Sequence, residues 1–142
     1  MIAYMDTSFL LKNYLSEAGS AEARQMWSDA DGVFVSRVAY AEAMCAFHRK
    51  HRDGDLSARR LRSVCDAFRR DWQGLHRVEI GAALEPVLDR LVGRHALRGL
   101  DAVHLASALL ASGTTEEFLF ASADRRLRQA ARAEGMHVFP EV

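Results

Sequence analysis

Residues 1–15, MIAYMDTSFLLKNYL, set a pattern that recurs along the chain. The short apolar run at 2–5 predicts a buried strand, and Asp6, Thr7 and Ser8 are residues that favour a helix N-terminus. The apolar positions after them have helical spacing and predict a helix. A continuously apolar strand that leads directly into a helix is typical of a parallel sheet with both faces covered.

The same alternation continues to the end of the chain. Further strands are predicted at 33–35, 75–78, 118–121 and 137–139. Helices are predicted at 9–15, 20–30, 36–51, 56–72, 81–92, 99–112 and 124–134. Strands that alternate with helices require right-handed crossovers and stack in layers. We therefore expect one α/β domain over 1–142, a three-layer α/β/α sandwich with a mostly parallel sheet of four to five strands.

Composition excludes several classes of protein. Hydrophobic residues make up 49% of the chain and charged residues 27%, which is typical of a globular protein. No apolar run reaches the roughly 18 residues of a membrane span, and the N-terminus has no basic segment of the signal-peptide kind. Cys45 and Cys65 lack metal-site spacing and are expected to be free buried thiols. A cytoplasmic protein without a membrane segment is the expectation.

Charge is balanced overall but uneven locally. The 19 basic and 19 acidic residues cancel, so the whole chain has no net field to attract nucleic acid. The stretch 47–72 nevertheless carries eight basic residues against four acidic ones. Such a stretch is either a phosphate-binding face or a solvated helix face, and composition leaves both open.

Two aspartates follow predicted strands. Asp6 comes directly after the strand at 2–5, and Asp124 lies three residues beyond the strand at 118–121. Because α/β sheets bind ligands at the carboxyl ends of their strands, both carboxylates are expected at that edge. Helix capping is the alternative for each, since aspartate accepts hydrogen bonds from the first amides of a helix.

Glu42 lies on an apolar face of its predicted helix, because its neighbours one turn away (38, 39, 45 and 46) are all apolar. A carboxylate there is partly desolvated and needs a cation or a hydrogen-bond donor. The alternative is an ion pair with an arginine such as Arg37.

Asp101 opens the strongly apolar helix at 99–112, which includes Leu100 and Leu110 and is expected to be the most buried helix. Its first turn should therefore lie near the centre of the domain, and helix capping is again the alternative role for Asp101. His104, one turn further on, either supports Asp101 or is a packed or exposed histidine.

The four acids Asp6, Glu42, Asp101 and Asp124 would repel each other if they met in one cleft. At ~5 Å and an effective dielectric constant of ~20, each pair costs roughly 3 kcal/mol. A divalent cation removes this repulsion, and oxygen donors without cysteine or histidine suit Mg²⁺ or Mn²⁺. Such a cation can activate water and orient a phosphodiester.

Five separated motifs resemble those of PIN-domain nucleases, and specifically VapC-type toxins of bacterial toxin–antitoxin pairs. They are IAYMDTS (2–8), VSRVAYAE (35–42), LRGLDAVHLASA (97–108), FASADRRL (120–127) and AARAEG (130–135). Each motif alone is weak, but together they occur in the family's order over nearly the whole chain.

The resemblance implies a metal-dependent endoribonuclease whose metal site is Asp6, Glu42, Asp101 and Asp124. Ser8 and Ser122 would lend hydroxyl groups, Ser122 standing where the family more often has threonine. It also implies RNA as the substrate, a homodimer, and a small antitoxin as the partner. For the RNA backbone, the basic residues that we select are Arg49, Arg52 and Arg125.

Two other functions remain open from the residues. Asp6 could be the nucleophile of a phosphotransfer domain, although no second acid lies two residues on and the only lysines are Lys12 and Lys50. A PIN-like module that binds RNA or protein without cutting is the other alternative.

Overall fold

The computed structural model describes residues 1–113 and 117–141. Its strands are β1 (Ile2–Met5), β2 (Gly32–Ser36), β3 (His76–Val78), β4 (Phe118–Ala121) and β5 (His137–Phe139). Its α-helices are α1 (Thr7–Leu10), α2 (Ser20–Asp29), α3 (Val38–Arg52), α4 (Ala58–Trp72), α5 (Glu85–Arg94), α6 (Gly99–Ser112) and α7 (Arg125–Ala133). Two 3₁₀ turns, Leu11–Asn13 and Ala82–Leu84, complete the order.

All five strands form one parallel sheet in the order β3-β2-β1-β4-β5. The chain builds outward from β1 to β3 on one side and then crosses to β4 and β5 on the other. The strand order therefore reverses between β1 and β4. In open α/β sheets, the crevice at the carboxyl ends beside such a reversal is where ligands bind.

Side chains that alternate along β1 enter two separate cores. Ala3 and Met5 pack with helices α1 to α4 on one face of the sheet. Tyr4 packs with α5, α6 and α7 on the other face, where it stacks on Phe120. The predicted three-layer α/β/α sandwich and its parallel sheet are confirmed.

Several local expectations were wrong. The helix predicted at 9–15 is a single turn, α1, that tightens into a 3₁₀ turn. Cys45 is exposed and only Cys65 is buried, because the buried stripe of α3 runs along Ala39, Ala43 and Phe47.

Helix α6 begins and ends where predicted, but its exposure differs from the expectation. Leu100 and Leu110 are 49% and 44% exposed, because the buried face of α6 runs instead through residues such as Ala102 and Leu105. Among the described residues, no helix is long and apolar enough to cross a membrane.

Candidate active site

Asp6 is the last residue before α1 and is almost fully buried, with 4% exposed. Its Oδ1 accepts hydrogen bonds from the Phe9 amide at 3.0 Å and the Ser8 hydroxyl at 2.7 Å. Its Oδ2 accepts one from the Ser122 hydroxyl at 2.5 Å. Asp6 therefore both caps α1 and lies at the carboxyl edge between β1 and β4.

Burial raises the pKa of the Asp6 carboxyl above its ordinary value. The nearby His104 and the hydrogen bonds from Ser122, Ser8 and the Phe9 amide act in the opposite direction without cancelling the effect. A charged Asp6 is thus costly to bury in the absence of a cation.

Ser8 and Ser122 join the loops that follow β1 and β4. The Ser8 hydroxyl accepts from the Ala123 amide at 3.1 Å, and the Ser122 hydroxyl accepts from the Asp124 amide at 3.0 Å. Both hydroxyls donate to Asp6. The structure thus places both predicted serines against Asp6 and makes them the link to Asp124.

Glu42 projects from α3 with 26% of its side chain exposed. Its Oε1 accepts from the Thr7 hydroxyl at 2.6 Å and lies 2.7 Å from Nε2 of His104. The alternative of an ion pair with Arg37 was wrong, since Arg37 pairs with Glu79 at 2.8 Å. The donors that Glu42 needs come from the turn after β1 and from α6.

Burial alone would raise the pKa of Glu42, but the hydrogen bonds from His104 and Thr7 outweigh it and lower that pKa below its ordinary value. Glu42 is therefore a carboxylate at neutral pH. Asp6 and Glu42, attached respectively to β1 and α3, meet across Thr7.

His104 is buried, with 3% exposed, and contacts Glu42 rather than Asp101. Its Nδ1 lies 2.9 Å from the Tyr4 hydroxyl, and its Nε2 also lies 3.2 Å from the Thr7 hydroxyl. The sequence analysis did not select Tyr4 or Thr7 as site residues. One signal in the sequence could have found them: each carries a hydroxyl group on an otherwise apolar element, and a buried hydroxyl group must find a hydrogen-bond partner.

Asp101 and Asp124 line a cleft of about 510 Å³ together with Arg98 and Arg126. Asp124 caps α7 by accepting from the Arg126 and Leu127 amides at 2.9 and 3.3 Å. Asp101 is in the first turn of α6 and pairs with Arg98 at 3.4 Å. Neither arginine was selected from the sequence.

Hydrogen bonds connect three of the four acids at this edge of the sheet. Thr7, the residue after Asp6, donates to Glu42, and Ser122 donates to Asp6 and accepts from the backbone amide of Asp124. Asp101 lines the same cleft as Asp124. Within residues 1–113 and 117–141, no three acidic, histidine or cysteine side chains are close enough to share one metal ion.

The remaining predicted residues are three exposed arginines. Arg125 begins α7 directly after Asp124, and Arg49 and Arg52 lie in the last turns of α3. Lys12 contacts the Ala18 carbonyl and Glu17, which leaves the phosphotransfer alternative without a lysine beside Asp6.

A model of the PIN domain matches residues 3–133 of the chain. The chain is 36% identical to Ribonuclease VapC45 and, equally, to Ribonuclease VapC49, both from Mycobacterium tuberculosis strains. The similarity extends over 139 residues, 98% of this chain and 95% of each relative.

Solved structures share the fold. FitAcB from Neisseria gonorrhoeae superimposes with a TM-score of 0.70 at 13% identity, covering 99% of this chain and 98% of that one. Mycobacterium tuberculosis VapC20, a sarcin-ricin loop cleaving toxin, gives 0.67 at 19% identity over the same shares. A toxin–antitoxin complex from Klebsiella pneumoniae gives 0.63 at 16% identity, covering 86% of each chain. The chain therefore belongs to the PIN-domain family and, within it, to the VapC group.

Proposed function

We propose that this chain is a metal-dependent endoribonuclease and the toxin component of a toxin–antitoxin pair. The observation that carries the proposal is the buried Asp6 at the strand-order reversal. Ser122 bonds both the Asp6 carboxylate and the Asp124 amide, and the residue after Asp6, Thr7, donates to Glu42. Membership of the VapC group supports RNA as the substrate and a small antitoxin as the partner. Both would be met in the cytoplasm.

Asp6, Glu42, Asp101 and Asp124 are the residues that would hold the cation. The donor set suits a hard divalent ion, because all four residues are carboxylates and Asp6 is buried where its charge is costly. Because no three of the described acidic side chains are close enough to share one ion, part of the coordination would come through bound water. We propose Mg²⁺ or Mn²⁺. When bound, such an ion supplies a nucleophilic water and neutralises charge on the phosphate oxygens.

The chain's own residues then have separate tasks. Ser8 and Ser122 hold Asp6 from both of its oxygens, so its carboxylate has one orientation. Thr7 and His104 hold Glu42 at one oxygen, Oε1. Asp101 and Asp124 form the open side of the site, where the cleft of about 510 Å³ admits a phosphodiester.

Six cationic side chains between residues 49 and 62, which we call the basic tip, lie at the same edge of the sheet as the four acids, the edge formed by the carboxyl ends of the strands. Helices α3 and α4 are antiparallel, since Tyr40 packs on Trp72 and Phe47 on Phe68. The end of α4 lies near Gly32, at the amino ends of the strands. The opposite end of this helix pair, residues 49–62, therefore projects beyond the carboxyl edge.

The basic tip supports binding of a polyanion. Its six cationic side chains are exposed and, within the described residues, none pairs with an acid: Arg49, Lys50, Arg52, Arg59, Arg60 and Arg62. Arg49 is seven residues from Glu42, which puts it on the same stripe of α3 about 10 Å along the helix axis. We propose that Arg49 and Arg52 bind phosphates beyond the scissile one, and that Arg125 binds the backbone beside Asp124.

A homodimer is part of the proposal. Four large apolar side chains are about half exposed, namely Ile80, Val92, Leu100 and Leu110. A contiguous apolar patch is typical of a surface that is covered in an assembly, and we propose that these four side chains contribute to such a patch. Light scattering of the purified chain over a range of concentrations measures the oligomeric state, and a monomer throughout would contradict this part.

The test is cleavage of a panel of structured and unstructured RNAs by the purified chain with Mg²⁺ or Mn²⁺. Cleavage is expected with either ion, and loss of it in Asp6→Asn and in Asp101→Asn. Asp66→Asn, a change at an exposed acid on α4, is the matched control and should cut normally. Metal-dependent binding of RNA without any cleavage would instead favour the non-catalytic alternative.

A further inference from the structure

We propose that His104 is a positioning residue, which holds the Glu42 carboxylate in one orientation through its Nε2–H while the Tyr4 hydroxyl donates to Nδ1 and supports the tautomer that this requires. The consequence for metal binding rests on the proposed function, because only there is Glu42 a metal ligand. The hydrogen-bond arrangement itself stands on the contacts of three side chains.

The Tyr4–His104 pair is enclosed in the protein. Tyr4 is fully buried and His104 is 3% exposed, so water does not satisfy their polar atoms. The Tyr4 hydroxyl lies 2.9 Å from Nδ1, and Glu42 Oε1 lies 2.7 Å from Nε2. Both ring nitrogens therefore have a partner at hydrogen-bond distance.

The chemistry of the partners assigns the protons. A carboxylate has no proton to donate, so Nε2 must donate to Glu42, since two acceptors at 2.7 Å would repel each other. In a neutral imidazole, Nδ1 is then the acceptor, and it receives the hydroxyl proton of Tyr4. The Tyr4 hydroxyl can donate or accept, and only donation matches an Nδ1 that carries no proton.

This arrangement fixes one carboxylate oxygen of Glu42 and leaves the other without a hydrogen-bond donor from the described residues. Oε1 accepts from both His104 and Thr7, and no described residue donates to Oε2. Two donors on one oxygen restrict rotation of the carboxylate and leave its second oxygen for a ligand at the carboxyl edge. Partners of this kind behind a metal ligand change metal affinity or activity by about 10–100-fold when they are removed.

Two substitutions separate the two contacts of His104. In His104→Gln, the side-chain nitrogen is as many bonds from Cβ as Nε2 is, so a donor to Glu42 remains while the acceptor for Tyr4 is lost. In His104→Asn, the shorter amide takes the place of Nδ1, so Tyr4 keeps an acceptor while Glu42 loses its donor. His95→Gln is the matched control, since His95 contacts Glu134 at 2.8 Å outside the site.

Calorimetric titration with MnCl₂, without RNA, is the first measurement. We expect His104→Asn to weaken Mn²⁺ binding by about 10–100-fold, and His104→Gln to stay within a few fold of the parent. His95→Gln should bind as the parent does. Equal losses in His104→Asn and His104→Gln would overturn the proposal, because they would indicate that His104 only fills space.

¹⁵N NMR of the metal-free chain is the second measurement and does not depend on the proposed function. The imidazole of His104 should be protonated at Nε2 and unprotonated at Nδ1, and Tyr4→Phe should shift the Nδ1 resonance, because the hydroxyl that donates to Nδ1 is lost. A proton on Nδ1 of the parent chain would overturn the proposal. If the parent neither binds Mn²⁺ nor cuts RNA, the proposed function fails, while the NMR result still decides the positioning role.

Discussion

Asp6 shows that capping and site chemistry can be the same interaction. Its carboxylate accepts the Phe9 amide that begins α1 and, at the same time, the hydroxyls that connect β1 to β4. The short helix is therefore positioned by the carboxylate that the site uses. This explains why the sequence alone could not separate the two interpretations of Asp6, since both require the same residue at the end of the same strand.

Asp6→Asn should stabilise the metal-free fold at neutral pH. Burial raises the Asp6 pKa in the folded state, so the folded chain binds more protons than the unfolded chain between the two pKa values. Stability is therefore lost as the pH rises through that interval, and the substitution removes the loss. Urea unfolding in EDTA should give an increase in the free energy of unfolding at pH 7 that vanishes below the unfolded pKa, near pH 3.8. A variant less stable at pH 7 would contradict this.

Glu42 and His104 mark the limit of residue-level prediction. The apolar neighbours of Glu42 on α3 correctly predicted that it needs a donor. The identity of the donor could not be predicted, because His104 is 62 positions away and reaches Glu42 only once α6 packs on the sheet. Asp101 shares a helix with His104, and local spacing therefore suggested the wrong acid.

The two loops at the carboxyl edge form one element of structure. Ser122 donates to Asp6 and accepts from the Asp124 amide, so the loop after β4 is fastened to the loop after β1. Ser122→Ala should destabilise the fold by about 1–3 kcal/mol, because it leaves a part-buried amide without this acceptor. Ser122→Thr keeps the hydroxyl and should lose less than half of that. Thermal unfolding of the two variants side by side measures the difference, and equal losses would contradict the role of the hydroxyl.

The basic tip is the element with the clearest consequence for the substrate. Arg49→Ala should raise KM for RNA without changing kcat, and should reduce the slope of log affinity against log salt by about 1, since one phosphate contact is lost. Arg70→Ala is the matched control, because Arg70 lies at the opposite end of the helix pair, near Gly32. The slope is obtained by measuring the affinity for RNA at several salt concentrations between low and physiological salt. An unchanged slope would remove Arg49 from the RNA interface.

Helix and strand boundaries were predictable where the signals were local. The strand β4 and the helix α6 begin and end as the apolar runs indicated. Which helix face is buried was less predictable, since α3 and α6 each present apolar residues around most of their circumference. Which face of each helix is buried depends on its contacts with the sheet and with the neighbouring helices, and these contacts are long-range in the sequence.

For the whole molecule, the crossing of the chain from β3 to β4 is the decisive event. It puts β4 beside β1, and so brings Asp6 and Asp124, which are 118 positions apart in the sequence, to one crevice. The alternation of strands and helices predicted a parallel sheet but not the strand order. Convergence of the acids was therefore an expectation from the general rule on carboxyl edges and from the family resemblance.

The same topology predicts how the whole fold should respond to a cation. Like charges brought together by the sheet oppose folding, and an ion that binds only the folded chain stabilises it by mass action, by about 2.7 kcal/mol at a concentration of 100 Kd. For a chain of this length that free energy corresponds to a rise in Tm of roughly 5–10 °C. Calorimetric scans should show the rise with MnCl₂ in the parent and in Asp66→Asn, reversal by EDTA, and a much smaller rise in Asp101→Asn. An equal rise in Tm in Asp101→Asn would mean that the ion binds elsewhere, because Asp101 lines the open cleft and is one of the proposed ligands of the ion.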